Sequence, residues 1–97
     1  MGISQLIYYL KEEIKKKYIL ELSIHRINDD DRYPDKIKYS LIFTEIRTEK
    51  RVLMDNHHPK GHHLHLDDVE LKYNYIDNDS LILDFKKYIF EHFGEKV

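Results

Sequence analysis

The chain has 97 residues, no cysteine, 16 basic and 18 acidic side chains, and a formal net charge of −2. This length supports one modest core, so we expect a single domain over residues 1–97. The absence of cysteine excludes disulfides, thiolate metal ligands and a cysteine nucleophile. The small net charge argues against a broad electrostatic surface for nucleic acid. Short apolar runs and the lack of a secretory leader favour a cytoplasmic protein with no membrane partner.

Residues 4–16 carry apolar side chains at helical spacing, which predicts an amphipathic N-terminal helix. Its apolar positions are Ile3, Leu6, Ile7, Leu10 and Ile14. Ser4 is a suitable N-cap, and Lys15 to Lys17 complement the C-terminal end of the helix dipole.

Four segments in the middle of the chain alternate apolar and polar side chains, as half-buried strands do. They cover residues 18–27, 36–47, 51–56 and 69–75. No helical pattern separates them, so consecutive strands should pair as an antiparallel meander. A second helix is predicted from residue 79 to residue 92, capped near Ser80 and closed by Gly94. The expected fold is therefore α+β in the order α-β-β-β-β-α, with both helices on one face of a four-stranded sheet.

Between the last two predicted strands lies the segment DNHHPKGHHLHLDD, residues 55–68, which holds five of the seven histidines. It is longer than a hairpin connection needs, and long loops in compact domains are usually functional or disordered. Three interpretations remain open at this point. They are a phosphodiester-cleaving site, a metal site, and an interaction module without catalytic activity.

Metal-independent RNA cleavage is the first interpretation, because two imidazoles can serve as general base and general acid near neutral pH. His63 and His65 are two residues apart, so their rings would share one face of an extended segment. Lys60 can place positive charge on the phosphate, and Asn56 can donate a hydrogen bond to it.

Four further residues are candidates for contacts with the RNA. Gly61 can adopt positive φ and offers its N–H to a ligand, and His62 adjoins the proposed acid–base pair. Lys38 and Tyr39 would lie beside the loop if the second and third strands form a hairpin.

A metal site is the second interpretation, since imidazole nitrogens bind zinc and nickel. The candidate ligands are His57, His58, His63 and His65. Under the first interpretation no cofactor is required. A binding module is the third interpretation, in which an exposed strand edge takes a strand from a partner protein.

The loop resembles the pattern D-N-x-x-x-K-G-x-H-x-H. This pattern is that of the TumE-like family, whose members are candidate toxins from prokaryotic type II toxin–antitoxin pairs. The matching residues are Asp55, Asn56, Lys60, Gly61, His63 and His65. The Lys38-Tyr39 pair and the helix that begins near Ser80 also resemble this family. The chain departs from the pattern at three loop positions, Pro59, His62 and Leu64.

This resemblance implies a small cytoplasmic toxin that acts on RNA and pairs with a cognate antitoxin protein. It leaves open whether the chain forms a homodimer.

Overall fold

The structure, a computed structural model, describes residues 3–97. Within this range the chain forms one six-stranded antiparallel sheet followed by one helix. The strands lie side by side in chain order. Their bounds are β1 Ile3–Ile14, β2 Tyr18–Asn28, β3 Ile37–Glu45, β4 Arg51–Asp55, β5 His63–Leu66 and β6 Val69–Lys72, and helix α1 spans Asn78–Phe93.

The predicted N-terminal helix is wrong, because residues 4–16 belong mainly to strand β1, which pairs with β2 along its length. The connection between the two strands is a tight turn at Lys15 and Lys16, with φ values of 56° and 53°. Lys17 N–H donates to the Ile14 carbonyl at 3.0 Å. Hairpin turns with positive φ at both central positions are usually built from Asn and Gly. A lysine pair gives no such signal, so the hairpin was not recognisable from its turn.

A bulge in β1 explains why the strand has helix-like spacing. The pairing with β2 shifts between Leu6 and Tyr8, which leaves Ile7 as an extra residue. The two-residue alternation therefore changes phase at this point. Leu10 and Ile14 pack against the core, whereas Leu6 is 56% exposed. When the two-residue alternation of a strand changes phase once, apolar residues come to lie three or four positions apart in the sequence, as they do in a helix.

The predicted count of four strands is also wrong, because the histidine segment is only partly a loop. Its second half forms β5, which turns at residues 67–68 and pairs with β6. The predicted strand over residues 69–75 ends at Lys72. The prediction and the structure share the C-terminal helix, strands β2, β3 and β4, and the antiparallel pairing of consecutive strands.

Helix α1 covers one face of the sheet and completes the core. Its buried residues are Leu81, Phe85 and Ile89. They join a cluster of side chains from the sheet that includes Leu22, Leu41, Phe43, Val52, Met54 and Leu64. Because side chains alternate along a strand, the residues next to these point to the opposite face. We call that opposite face the open face, since no helix of residues 3–97 packs on it.

The helix ends are defined by two capping residues. The side chain of Asp77 accepts a hydrogen bond from Ser80 N–H at 2.7 Å, so the cap is Asp77. Gly94 adopts a φ of 73°, and its N–H donates to the Phe90 carbonyl at 2.8 Å. A carboxylate at the first turn and a left-handed glycine at the end satisfy orphan backbone groups. At 16 residues, α1 is too short to cross a membrane, and the described chain contains no other helix.

The packing of α1 generates a stability prediction. Phe85→Ala should lower the free energy of unfolding by about 3–5 kcal/mol, because a ring that is 1% exposed would leave a cavity. Leu83→Ala is the matched control, since Leu83 lies on the same helix and is 67% exposed. Its effect should stay within roughly 0.5 kcal/mol. Urea unfolding followed by circular dichroism measures both, and equal losses would contradict this packing.

Candidate functional site

The candidate site lies on the open face, where two neighbouring rows of side chains run across strands β4, β5 and β6. In one row His63 is opposite Asp55 on one side and Lys72 on the other. In the next row His65 is opposite Leu53 and Glu70. The strand pleat therefore brings both histidines to the same face, and their ring centroids are 4.7 Å apart.

Burial of Leu64 on the helix side fixes the orientation of the two rings. Leu64 is 2% exposed and belongs to the core cluster. Its neighbours in β5 must point the other way. His63 is nevertheless buried, with its side chain 8% exposed, and that of His65 is 19% exposed.

The backbone of Gly61 determines which nitrogen of His63 carries a proton. His63 Nδ1 lies 2.8 Å from the Gly61 carbonyl oxygen, which can only accept, so Nδ1 donates. Gly61 has a φ of 74°, a conformation that glycine adopts without strain. Nε2 of His63 is then left to face the site.

Two carboxylates face His63 Nε2. Asp55 Oδ1 lies 2.8 Å from it and Glu70 Oε1 lies 3.7 Å from it. Asp55 Oδ1 is buried, and no donor among residues 3–97 meets it in hydrogen-bonding geometry. The contact with Nε2 therefore lies off the hydrogen-bond direction, and it is an ion pair only when the His63 ring is protonated.

Glu70 is the centre of the cluster. Its Oε1 accepts a hydrogen bond from Lys60 Nζ at 3.0 Å and lies 3.6 Å from His65 Nε2. The hydrogen bond from Lys60 lowers the pKa of Glu70 below its usual value, so this carboxyl is ionised at neutral pH. A surface cleft of about 250 Å³ gives solvent access to the cluster. It is lined by Lys60, His62, His63, Glu70, Leu71 and Lys72.

The sequence-predicted residue Asn56 has its amide committed to the fold. Its Oδ1 accepts from Tyr39 N–H at 2.9 Å, and its Nδ2 donates to the Ile37 carbonyl at 2.6 Å. The side chain thus continues the β3–β4 ladder past the end of β4. It is 5% exposed, so it is not directed at the cleft beside the histidines.

His62 borders the cleft, but its ring contacts Tyr39 and Tyr75 rather than the His63–His65 pair. The Tyr39 hydroxyl lies 2.9 Å from His62 Nδ1, and His62 Nε2 lies 2.7 Å from Asp35 Oδ2. His62 also stacks on Tyr75 with ring centroids 4.8 Å apart. With Nε2 donating to the Asp35 carboxylate, Nδ1 of a neutral His62 accepts from the Tyr39 hydroxyl. Burial raises the pKa of Tyr39 well above its usual range, so the hydroxyl keeps its proton. The chain of contacts ties the histidine segment to the β2–β3 loop.

Three other predicted residues are also separate from the cluster. Lys38 lies on the open face, but on β3, opposite His25 of β2. His57 and His58 are exposed in the β4–β5 loop. Of the four predicted metal ligands, only His63 and His65 therefore come together. Within residues 3–97, the group whose ligand atoms could hold a metal is His63, His65 and Glu70, with all three atoms within 4.8 Å of one another.

Sequence reasoning missed the roles of Glu70 and Asp55 in this cluster. Both depend on strand register, because Glu70 reaches His65 only if β5 and β6 form a tight hairpin. The stretch HLHLDDVELK does carry a signal, since polar and apolar residues alternate on both sides of an Asp-Asp turn. Two histidines at strand positions obscured this pattern.

Comparisons of the chain with protein-family models, with curated proteins and with solved structures gave no match.

The contacts of Asn56 predict a structural role for this residue. Asn56→Ala should lower the free energy of unfolding by about 2–6 kcal/mol, because two buried backbone groups lose their partners at about 1–3 kcal/mol each. Asn74→Ala, at an exposed position, is the matched control and should change stability little. Thermal and urea unfolding of the three proteins measures this. An Asn56→Ala variant as stable as the control would contradict the assignment.

Proposed function

We propose that the protein is a metal-independent endoribonuclease whose general acid and base are His63 and His65. One observation carries this proposal. The Nε2 atoms of His63 and His65 both approach Glu70 Oε1, and the ammonium group of Lys60 is bound to the same oxygen. Such a cluster combines two proton carriers with positive charge, which are the requirements for RNA transesterification.

The chemistry begins with loss of the proton from a ribose 2′-hydroxyl. The 2′-oxygen attacks the adjacent phosphorus, the bond from phosphorus to the 5′-oxygen breaks, and the 5′-oxygen takes up a proton. We assign the base to His65, which is the more exposed ring. We assign the acid to His63, the more buried ring, whose Nε2 lies 2.8 Å from Asp55 Oδ1. The products are a 2′,3′-cyclic phosphate and a free 5′-hydroxyl.

Lysines supply positive charge for the phosphate in this scheme. Lys60 is held beside the two rings by Glu70, and its side chain is 63% exposed, so it can turn from the carboxylate to an incoming phosphate. Lys72 lies opposite His63 in the same row. Charges directed at the phosphorane stabilise the transition state more than the ground state.

We extend the proposal to a partner protein on the basis of the loop resemblance. A toxin of this class requires a cognate antitoxin in the cytoplasm. Strand β1 is an edge of the sheet, and it exposes Leu6, Ile7, Tyr8 and Tyr9. An unpaired edge with apolar side chains can bind a partner strand, and a second copy of the chain could use the same edge.

The proton-transfer roles predict a selective loss of activity on mutation. Tag-free protein should cleave an end-labelled RNA in excess EDTA, and His65→Ala should cleave about 10²–10⁴-fold more slowly, because one proton transfer is lost. His57→Ala, which removes an exposed histidine outside the cluster, is the control and should retain full activity. Circular dichroism establishes that each variant is folded. Equal activity of His65→Ala and wild type would remove this residue from the mechanism.

Lys60 should affect catalysis through charge alone. Lys60→Ala should slow cleavage or weaken RNA binding, whereas Lys60→Arg should keep most of the activity because it retains a positive charge. Single-turnover rates over a range of protein concentrations separate the two effects. If Lys60→Ala matches wild type in both, the lysine does not contact the phosphate.

A further inference from the structure

We propose that His63, His65 and Glu70 form a zinc site, and that Zn²⁺ bound there inhibits the protein. The binding part of this inference depends on geometry alone. The inhibitory part rests on the proposed function, because zinc would occupy both nitrogens that carry protons in that mechanism.

Acceptor atoms of three side chains come close together at this site. With Nδ1 of His63 donating to the Gly61 carbonyl, the neutral ring directs the lone pair of Nε2 into the site. Glu70 Oε1 and Asp55 Oδ1 lie 3.7 and 2.8 Å from that nitrogen. Acceptors that face one another at such distances are stabilised by a cation between or beside them.

The ligand atoms lie close to the separation that zinc requires. Zinc binds imidazole nitrogen and carboxylate oxygen at about 2.0–2.2 Å in a tetrahedron, so its ligand atoms lie about 3.3–3.6 Å apart. Glu70 Oε1 is 3.7 Å from His63 Nε2 and 3.6 Å from His65 Nε2, and all three ligand atoms lie within 4.8 Å of one another. Rotation of the two imidazole side chains towards each other would complete the coordination sphere.

The surroundings of the ligands also resemble those of metal-bound histidines. Metal-bound histidines usually donate their other ring nitrogen to a carbonyl or carboxylate, which fixes the ring. His63 does so through Gly61. The buried Asp55 Oδ1, for which the described chain provides no aligned donor, lies beside the site and adds negative charge. Two imidazoles with one carboxylate suit zinc, whereas magnesium and calcium prefer oxygen ligands throughout.

Lys60 is the group that zinc must displace. Its ammonium bonds to Glu70 Oε1 at 3.0 Å, which is the oxygen assigned to the metal. Because the lysine side chain is largely exposed, it can leave the carboxylate without disturbing the core. Zinc and Lys60 thus compete for one carboxylate, and zinc and protons compete for the two imidazoles.

Calorimetric titration of tag-free protein with Zn²⁺ tests the binding part. Wild type should bind one zinc ion, and Glu70→Gln should bind it at least about tenfold more weakly, because the amide removes an anionic ligand. The control is the double variant His57→Ala/His58→Ala, which lacks two exposed histidines but keeps the cluster and should match wild type. Equal affinity of Glu70→Gln and wild type, or loss of binding in the double variant, would overturn the site.

RNA cleavage with and without zinc tests the inhibitory part. One equivalent of Zn²⁺ should suppress cleavage, and EDTA should restore it. Faster cleavage on addition of zinc would overturn inhibition. If wild type binds zinc more tightly than Glu70→Gln but does not cleave RNA, the result would contradict the proposed ribonuclease and support the metal site.

Discussion

The orientation of β5 is the constraint on which the candidate site depends. Leu64 is buried beneath α1 with Met54 and Leu41, so the pleat directs the neighbouring histidines to the opposite face. A shift of one residue in register would bury two imidazoles against the helix and expose Leu64. Desolvating two imidazoles without partners is costly, so the core itself enforces the register. The hydrophobic effect therefore positions the groups to which we assign the chemistry.

The five clustered histidines do not serve one purpose. His62 packs against Tyr39 and Tyr75 and contacts Asp35, which ties two loops together at the end of the sheet. His57 and His58 are exposed. His63 and His65 contact each other beside Glu70. The same two rings are the proton carriers of the proposed ribonuclease and the ligands of the proposed zinc site. Protons and zinc would therefore compete for the same two nitrogen lone pairs.

Part of this organisation was predictable from the sequence, and the physical reasons are specific. The C-terminal helix and the strands over β2, β3 and β4 follow from uninterrupted periodicity. The N-terminal strand was missed because a bulge at Ile7 changes the phase of alternation and because two lysines form the turn. The pairing of His63 with His65 followed from their spacing. Glu70 and Asp55 could not be assigned, since both join the site only through cross-strand register, which depends on packing across the whole sheet.

Analysis of the product ends by mass spectrometry tests the central claim most directly. A short RNA is incubated with tag-free protein in excess EDTA, beside the same RNA with a 2′-deoxy substitution at the cleaved position. The account predicts 2′,3′-cyclic phosphate and 5′-hydroxyl ends, and no cleavage at the deoxy position, because the 2′-oxygen is the nucleophile. Products with 3′-hydroxyl and 5′-phosphate ends, or cleavage at the deoxy position, would indicate attack by water and would contradict it, as would RNA that remains intact.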